Sequence, residues 1–169
     1  MKKINDNIEK KKPNNLRFYV ILLTVFALLL VVRYSCFVIN RCQGNSMYPT
    51  IRHNAVVVGT NIFLNIDRND IVVAQPKAED GLILKRVVGI EGDHIEIKDG
   101  KLYINGNIDT LFPDTNYLDE TLDVVVPENS YFLMGDNRNF SEDSRYFGAV
   151  NKSEIIYKVI YYSKEVTSP

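Results

Sequence analysis

The chain is poor in the residues that build metal and redox sites. It has two cysteines, Cys36 and Cys42, and two histidines, His53 and His94, in 169 residues. No Cys-x-x-Cys pair or Cys/His cluster occurs, so a zinc site is not expected and the reading calls for neither metal nor cofactor. The two cysteines sit six apart near the end of an apolar run. Free thiols are the expectation, and a disulfide stays open if both lie outside a membrane. A basic surplus is missing too: the net charge of -1 argues against a nucleic-acid binder. Repeats and low-complexity segments are absent, as is any long amphipathic helix after residue 40. What is present has a globular balance, 46% hydrophobic and 24% charged, at a length suited to one domain with short appendages.

The charge is unevenly spread. Residues 1–17 hold Lys2, Lys3, Lys10, Lys11, Lys12 and Arg17 against Asp6 and Glu9, while the rest of the chain is acidic, with 14 basic and 19 acidic residues. A basic tail on an acidic body reads as a membrane orientation signal. Phe18 to Val32 follow without a charge, between Arg17 and Arg33. That run alone is short of the roughly 20 residues a span needs, but Arg33 can snorkel and Tyr34 to Ile39 continue the apolar character. Tyr19 and Tyr34 suit the interfacial belts. A cleavable signal peptide should end in small residues of Ala-x-Ala type, which Cys36-Phe37-Val38-Ile39-Asn40 does not. A buried core helix leaves the basic tail unexplained. The expected organisation is a cytoplasmic tail at 1–17, a single membrane anchor at 18–39 and an extracytoplasmic domain at 40–169.

The body reads as β. Ala55 to Val58, Ile71 to Ala74, Leu82 to Ile90, Tyr131 to Met134 and Ile155 to Tyr162 are apolar runs, mostly bounded by turn formers. His94 to Lys98 and Lys101 to Asn105 alternate in polarity around Asp99-Gly100, a strong type I′ hairpin signal, and Asn105-Gly106 marks another turn. Residues 107–129 read as a loop or surface excursion. The expected fold is mainly β, an antiparallel sheet or barrel-like catalytic domain behind one N-terminal transmembrane helix.

Three segments carry chemistry. In Gly44-Asn45-Ser46-Met47-Tyr48-Pro49-Thr50 a serine sits just beyond the apolar run, where it suits a nucleophile, although the same residues make ordinary turns. In Leu82 to Ile90, Lys85 interrupts an apolar strand and shares a face with Ile83 and Val87. Burial there lowers an amine's pKa, and a neutral amine can take a proton from a serine hydroxyl; an exposed edge-strand lysine is the alternative. Gly135 to Gly148 is dense in hydrogen-bonding side chains, and the spacing of Asp143 to Arg145 and of Asp136 to Arg138 suggests an ordered network, against the alternative of a solvated loop.

Together these segments resemble the bacterial type I signal peptidases. The signature runs stand here as Ser46–Thr50, Lys85–Asp93 and Gly135–Gly148, and Arg68-Asn69-Asp70 is similar to a fourth, usually Arg-Gly-Asp. The likeness extends in order over about residues 18–162. It implies a membrane-bound serine endopeptidase that removes signal peptides from secreted preproteins through a Ser/Lys dyad. In that reading Ser46 is the nucleophile and Lys85 the general base. Ser141 orients the lysine, while Asp143 with Arg145 and Asp136 with Arg86 brace the site. The signal peptide binds by strand addition along Gly81, Leu82, Ile83 and Leu84, with Ala-x-Ala preferred at the cut. The Ser46 N–H supplies one oxyanion donor. Some members place a serine at the position of Gly44 as a second donor, and many have Asn at Phe140, so the chain departs from the pattern at both. Lysine at 85, where relatives of the endoplasmic reticulum and archaea have histidine, and the short length point to the compact Gram-positive form. Partners on this reading are signal peptides and the lipid bilayer, not nucleic acid; the oligomeric state is left open. Two rivals stand beside it: a Ser/Lys self-cleaving repressor-type peptidase, disfavoured by the anchor and by the lack of an Ala-Gly dipeptide, and a membrane-tethered β binding module without enzymatic activity.

Overall fold

The structure, a computed structural model, describes residues 15–62, 65–112 and 121–163. The chain divides into two units, an N-terminal one up to Ser35 and a second from Cys36 onward. The first is helix α1, Leu16–Cys36, whose 21 residues include no buried side chain. A rise of about 1.5 Å per residue makes it long enough to cross the roughly 30 Å hydrocarbon core of a bilayer. It is apolar all round, with Val20, Leu23, Phe26 and Leu29 exposed on successive turns, as a helix in lipid needs to be. The helix ends three residues before the expected span does. Phe37 to Arg41 instead form strand β1, because their backbone pairs with the next strand.

The second unit is mainly β, and all its strand pairs are antiparallel. Its larger sheet uses β1 (Phe37–Arg41), β2 (Val56–Thr60), β3 (Ile71–Ala74), β4 (Ile83–Ile90), β9 (Ser130–Met134), β10 (Val150–Asn151) and β11 (Ile155–Tyr162) in the order β1-β2-β11-β3-β4-β9-β10. The smaller sheet has β5 (His94–Lys98), β6 (Lys101–Ile104), β7 (Asn107–Ile108) and β8 (Leu122–Val125) in the order β7-β6-β5-β8. A four-residue helix α2, Ser144–Phe147, follows β9, and a 3₁₀ turn at Lys152–Glu154 leads into β11. The hairpin between β5 and β6 turns at Asp99 and Gly100, with φ of 51° and 68°, the positive values a type I′ turn requires.

Residues 107–129 are not a simple excursion. Asn107–Ile108 pair with β6, and Leu122–Val125 pair with β5 from Ile97↔Leu122 to His94↔Val125. Leu122 and Val124 turn inward while Asp123 and Val125 are exposed, a period-2 pattern hidden by the acidic residues and Pro127 around it. The centre of the excursion, 113–120, lies outside the described residues.

Strand β9 is buried along its whole length because both its faces are covered. Leu133 joins Val72, Ala74, Val87 and Ile155 in one core cluster. Phe132 and Met134 join Val88, Ile95, Ile97 and Leu102 in a second, between the sheets. A third cluster, of Met47, Ile51, Ala55, Val57 and Ile71, lies under the segment that carries Ser46. Beside the second cluster the register of β4 against β9 shifts between Val87 and Gly89. A Cβ on Gly89 would come within 2.8 Å of Ile95 Cδ1 and 3.0 Å of Val126 Cγ2. The Gly89→Leu variant should therefore lose about 1–3 kcal/mol through overpacking, read as a lower midpoint in chemical unfolding; an unchanged midpoint would show that the two sheets are not tightly apposed there.

Candidate active site

Ser46 is half-buried on a short loop leaving β1. Beneath it Met47 and Ile51 have no exposed surface, so the third core cluster pins the loop from below. The Tyr48–Pro49 peptide bond is cis. Tyr48 N–H donates to the Asn45 carbonyl at 3.1 Å and Ile51 N–H to Met47 O at 2.8 Å, closing two turns. From across the site Asn137 holds the carbonyls on either side of Ser46: its main-chain N–H donates to Ser46 O at 2.9 Å, and its side-chain Nδ2 donates to Asn45 O at 3.1 Å. A trans peptide puts C=O and N–H on opposite sides. With the Asn45 carbonyl drawn toward Asn137 and Tyr48, the Ser46 N–H points away from them, and no group among the described residues accepts it.

Lys85 lies in the middle of β4, opposite Val72 of β3, with 5% of its surface exposed. Its same-parity neighbours Ile83 and Val87 pack in the first core cluster, so the apolar face expected from alternation is there. Burial lowers the Lys85 pKa; Asp143 and Glu79 oppose this, and Arg145 reinforces it. Its amine makes no hydrogen bond or ion pair among the described residues, nor does the buried Ser141 hydroxyl. Cys42 is close enough for the two groups to affect each other, burial raising the thiol's pKa and Lys85 lowering it. Both cysteines are free thiols.

Gly135 joins these parts. A Cβ there would overlap the Ser141 hydroxyl and stand 2.5 Å from the Ser46 carbonyl oxygen, so only glycine lets the Ser46 loop and Ser141 approach the end of β9. Asp143 fixes this corner. One carboxylate oxygen accepts from Gly135 N–H at 2.9 Å and Arg145 Nη2 at 2.9 Å; the other accepts from Arg145 Nε at 2.7 Å and caps α2 through Arg145 N–H. Their side chains are 0% and 2% exposed, and Arg145 Nη2 also reaches the Ser141 carbonyl at 3.1 Å.

The second expected pair is present as well. Arg86 grips Asp136 with two parallel bonds, of 2.7 and 2.6 Å, and donates to Asn69 O at 2.7 Å. The suggested proximity of Asp136 and Arg138 resolves differently. Arg138 bonds Asp109 at 3.0 Å and the carbonyls of Gly135 and Phe112, also at 3.0 Å. Phe112 contacts both guanidinium groups, with its ring 5.7 Å from that of Arg86 and 5.6 Å from that of Arg138. Neither Asp109 nor Phe112 stands out in the sequence, because both lie in the stretch read as a loop. Asn69, standing where the resemblance expects glycine, has φ of 76°, and asparagine is among the side chains best able to adopt that region.

Along β4 the expected binding segment forms one wall of a groove of about 370 Å³. Leu82, Ile83 and Leu84 line one side, and Asn40, Cys42 and Gln43 line the other. Gly81, expected in the same segment, is not among the lining residues; it precedes them with φ of 131°. The β4 strand is paired with β3 from Ile83, but with β9 only from Arg86 onward, so its second edge at 83–85 is unpaired among the described residues.

The two histidines lie apart. His53 Nδ1 accepts from Gly44 N–H at 3.0 Å. His94 is on the small sheet with Asp123 at 2.6 Å from Nε2 and Glu96 at 3.8 Å from Nδ1, a grouping of metal-ligand type that sequence spacing did not reveal. The carboxylates flank different ring nitrogens, an arrangement that favours imidazolium over a shared ion, and the hydrogen bond that His94 donates to Asp123 raises the His94 pKa.

Comparison with known proteins identifies the family of the chain. The family model described as signal peptidase, peptidase S26, matches residues 15–162. Signal peptidase I S of Bacillus subtilis (strain 168) is 34% identical, the match covering 94% of each chain. Signal peptidase IB of Staphylococcus aureus (strain N315) is 27% identical, covering 89% of this chain and 90% of that one. Among solved structures, a signal peptidase I from Enterococcus faecalis V583 is 28% identical and overlays with a TM-score of 0.48, covering 56% of this chain and 96% of that one. With a family match over most of its length and a relative one-third identical from end to end, the chain belongs to the signal peptidase family, peptidase S26.

Proposed function

We propose that this serine endopeptidase cuts signal peptides with Ser46 as nucleophile and Lys85 as general base. The observation that carries the reading is Lys85: a residue 5% exposed, its amine without a hydrogen-bond or ion-pair partner among the described residues, and lowered in pKa by desolvation. A charged ammonium left in that state is costly, whereas a neutral amine fits it and is a base.

The chemistry then runs in two halves. The signal peptide lies as an added strand along the free edge of β4, in the groove between Leu82–Leu84 and Asn40–Gln43. Ser46 Oγ attacks the scissile carbonyl as its proton passes to Lys85 Nζ. The oxyanion takes the outward-facing Ser46 N–H. Gly44 lends neither a hydroxyl nor its own N–H, which is already donated to His53. Collapse leaves the signal peptide esterified to Ser46, and the departing amine of the mature protein takes the proton from Lys85. A water, deprotonated by Lys85, then opens the ester, freeing the signal peptide carboxylate and the Ser46 hydroxyl. Ser141, with its buried hydroxyl unpartnered, is the orienting group for the lysine. The pairs Asp143–Arg145 and Arg86–Asp136 hold these groups in place. Residues 1–17 stay in the cytoplasm, α1 spans the membrane and the catalytic domain lies outside, since five lysines precede α1 and Arg17 stands in its first turn.

The base is tested by substitution. Lys85→Arg should be as inactive toward an Ala-x-Ala peptide as Lys85→Ala, because a guanidinium keeps the charge but does not deprotonate. Cleavage by the parent should rise with pH as Lys85 loses its proton, and substantial turnover by the arginine variant would remove Lys85 from the role. A lysine whose folded pKa is lowered binds fewer protons folded than unfolded, so it costs stability below its unfolded pKa. Lys85→Met should therefore melt higher than the parent at neutral pH while cutting nothing.

The brace gives a second expectation. Asp143→Ala leaves Arg145 buried without its carboxylate and should cost about 3–5 kcal/mol, along with most of the activity; parental melting and turnover would reduce the loop to decoration. Topology gives a third. A reporter fused after Pro169 that is active only in the cytoplasm should stay silent, and a signal from it would reverse the orientation.

A further inference from the structure

Gly44 stands two residues before Ser46 with φ of 87°, a conformation glycine adopts freely. No side chain holds it there, since a Cβ at this position would meet no heavy atom within 4 Å. Its firm tie among the described residues is the bond from its N–H to His53 Nδ1, at 3.0 Å; the Cys42 thiol lies 4.0 Å from its carbonyl, a weak contact. On both sides the chain is secured independently of His53. Cys42 N–H donates to Ala55 O at 2.9 Å and Asn54 N–H to Cys42 O at 2.8 Å, which fixes the groove wall. Asn137 holds the carbonyls of Asn45 and Ser46. Gly44 is the joint between these two held parts, and it is the most mobile residue type in backbone terms.

We propose that His53 is a positioning residue for the cleavage reaction: by accepting the Gly44 N–H it locks the joint between the held groove wall and the held Ser46 turn, and so fixes where the nucleophile and its oxyanion donor stand relative to the groove. This rests on the reading of Ser46 as nucleophile. To accept, Nδ1 must be unprotonated, so the neutral ring carries its proton on Nε2. Opening the lock leaves the groove wall in place, because Cys42 is held by Ala55 and Asn54. The loss therefore falls on turnover rather than on substrate binding.

The test uses the full chain in detergent micelles with an Ala-x-Ala peptide, comparing His53→Ala, His53→Asn and His53→Gln. An asparagine Oδ1 can occupy the place of the imidazole Nδ1, whereas the glutamine acceptor is one carbon further out. His53→Ala should lower kcat roughly two- to tenfold, the range one modest hydrogen bond supports, with KM and melting temperature unchanged. His53→Asn should restore most of the rate and His53→Gln should not. Parental kcat in His53→Ala, a loss confined to KM, or equal rescue by both amides would overturn the proposal. Ser46→Ala run in parallel separates the two readings. If it is inert while His53→Ala is parental, only the lock fails; if it still cuts, the nucleophile assignment fails first and the lock with it.

Discussion

The Asp143 carboxylate is wholly buried, and the alignment of the site passes through its two oxygens. It receives the N–H of Gly135 at the end of β9, the guanidinium of Arg145 and the first turn of α2. Two segments, the end of β9 and the start of α2, are thereby tied at one point. A buried carboxylate is tolerable only when its charge is paired and its lone pairs are occupied, and both conditions are met. The arrangement fixes Ser141, whose carbonyl is held by the same Arg145, and it brings the end of β9 so close to the Ser46 loop that residue 135 has no room for a side chain.

The same pairing decides the electrostatics of Lys85. Desolvation, the largest influence, pushes its pKa down, and Asp143 and Glu79 push it back in part. Arg145 acts in the opposite direction to Asp143 at the lysine. Arg145 thus offsets part of the Asp143 effect, and burial is the main influence on the amine. A carboxylate without its arginine would hold the loop but raise the Lys85 pKa further toward the ammonium. A neutral side chain would have spared the base but left the Gly135 N–H without an acceptor.

Much of the strand pattern was legible because it depends on local rules. Ile71–Ala74, the hairpin at Asp99-Gly100 and Ile155–Tyr162 follow from apolar runs, alternation and positive-φ turns, all encoded within a few residues. The end of the apolar helix was not legible. Phe37 to Ile39 are as apolar as the span before them, and what makes them strand is pairing with Val58–Thr60, some twenty residues on. Strand β8 was missed because Leu122-Asp123-Val124-Val125 is too short to outweigh its acidic surroundings until β5 supplies a partner. At the site, motif resemblance pointed to Lys85, Ser141, Asp143 and the Arg86–Asp136 pair. It was silent on Arg138–Asp109 and the Phe112 ring, since a distant partner in an irregular stretch leaves no periodic trace. It was equally silent on Asn137 and His53, whose contribution is a hydrogen bond to a main-chain atom and so depends on where the backbone runs.

Strand β4 shows how these requirements are met by one element. Its first residues are paired on one side only, leaving an edge for an extended peptide. Lys85 follows directly, so a substrate strand laid on that edge is delivered to the base by the strand's own direction. Arg86, pointing to the other face, takes Asp136 and Asn69 and locks the strand to the loop beyond β9. Gly89 then lets the strand pass close under Ile95 and Val126 of the small-sheet region. The order along the strand is itself a constraint. In the proposed binding mode, pairing with β9 must begin no earlier than Arg86, because a ladder extended to Lys85 would occupy the edge offered to the peptide. Pairing that began later would leave the arginine without a fixed backbone and Asp136 without its partner. The start of β9 pairing at Arg86↔Met134 therefore sets both where the groove ends and where the brace begins.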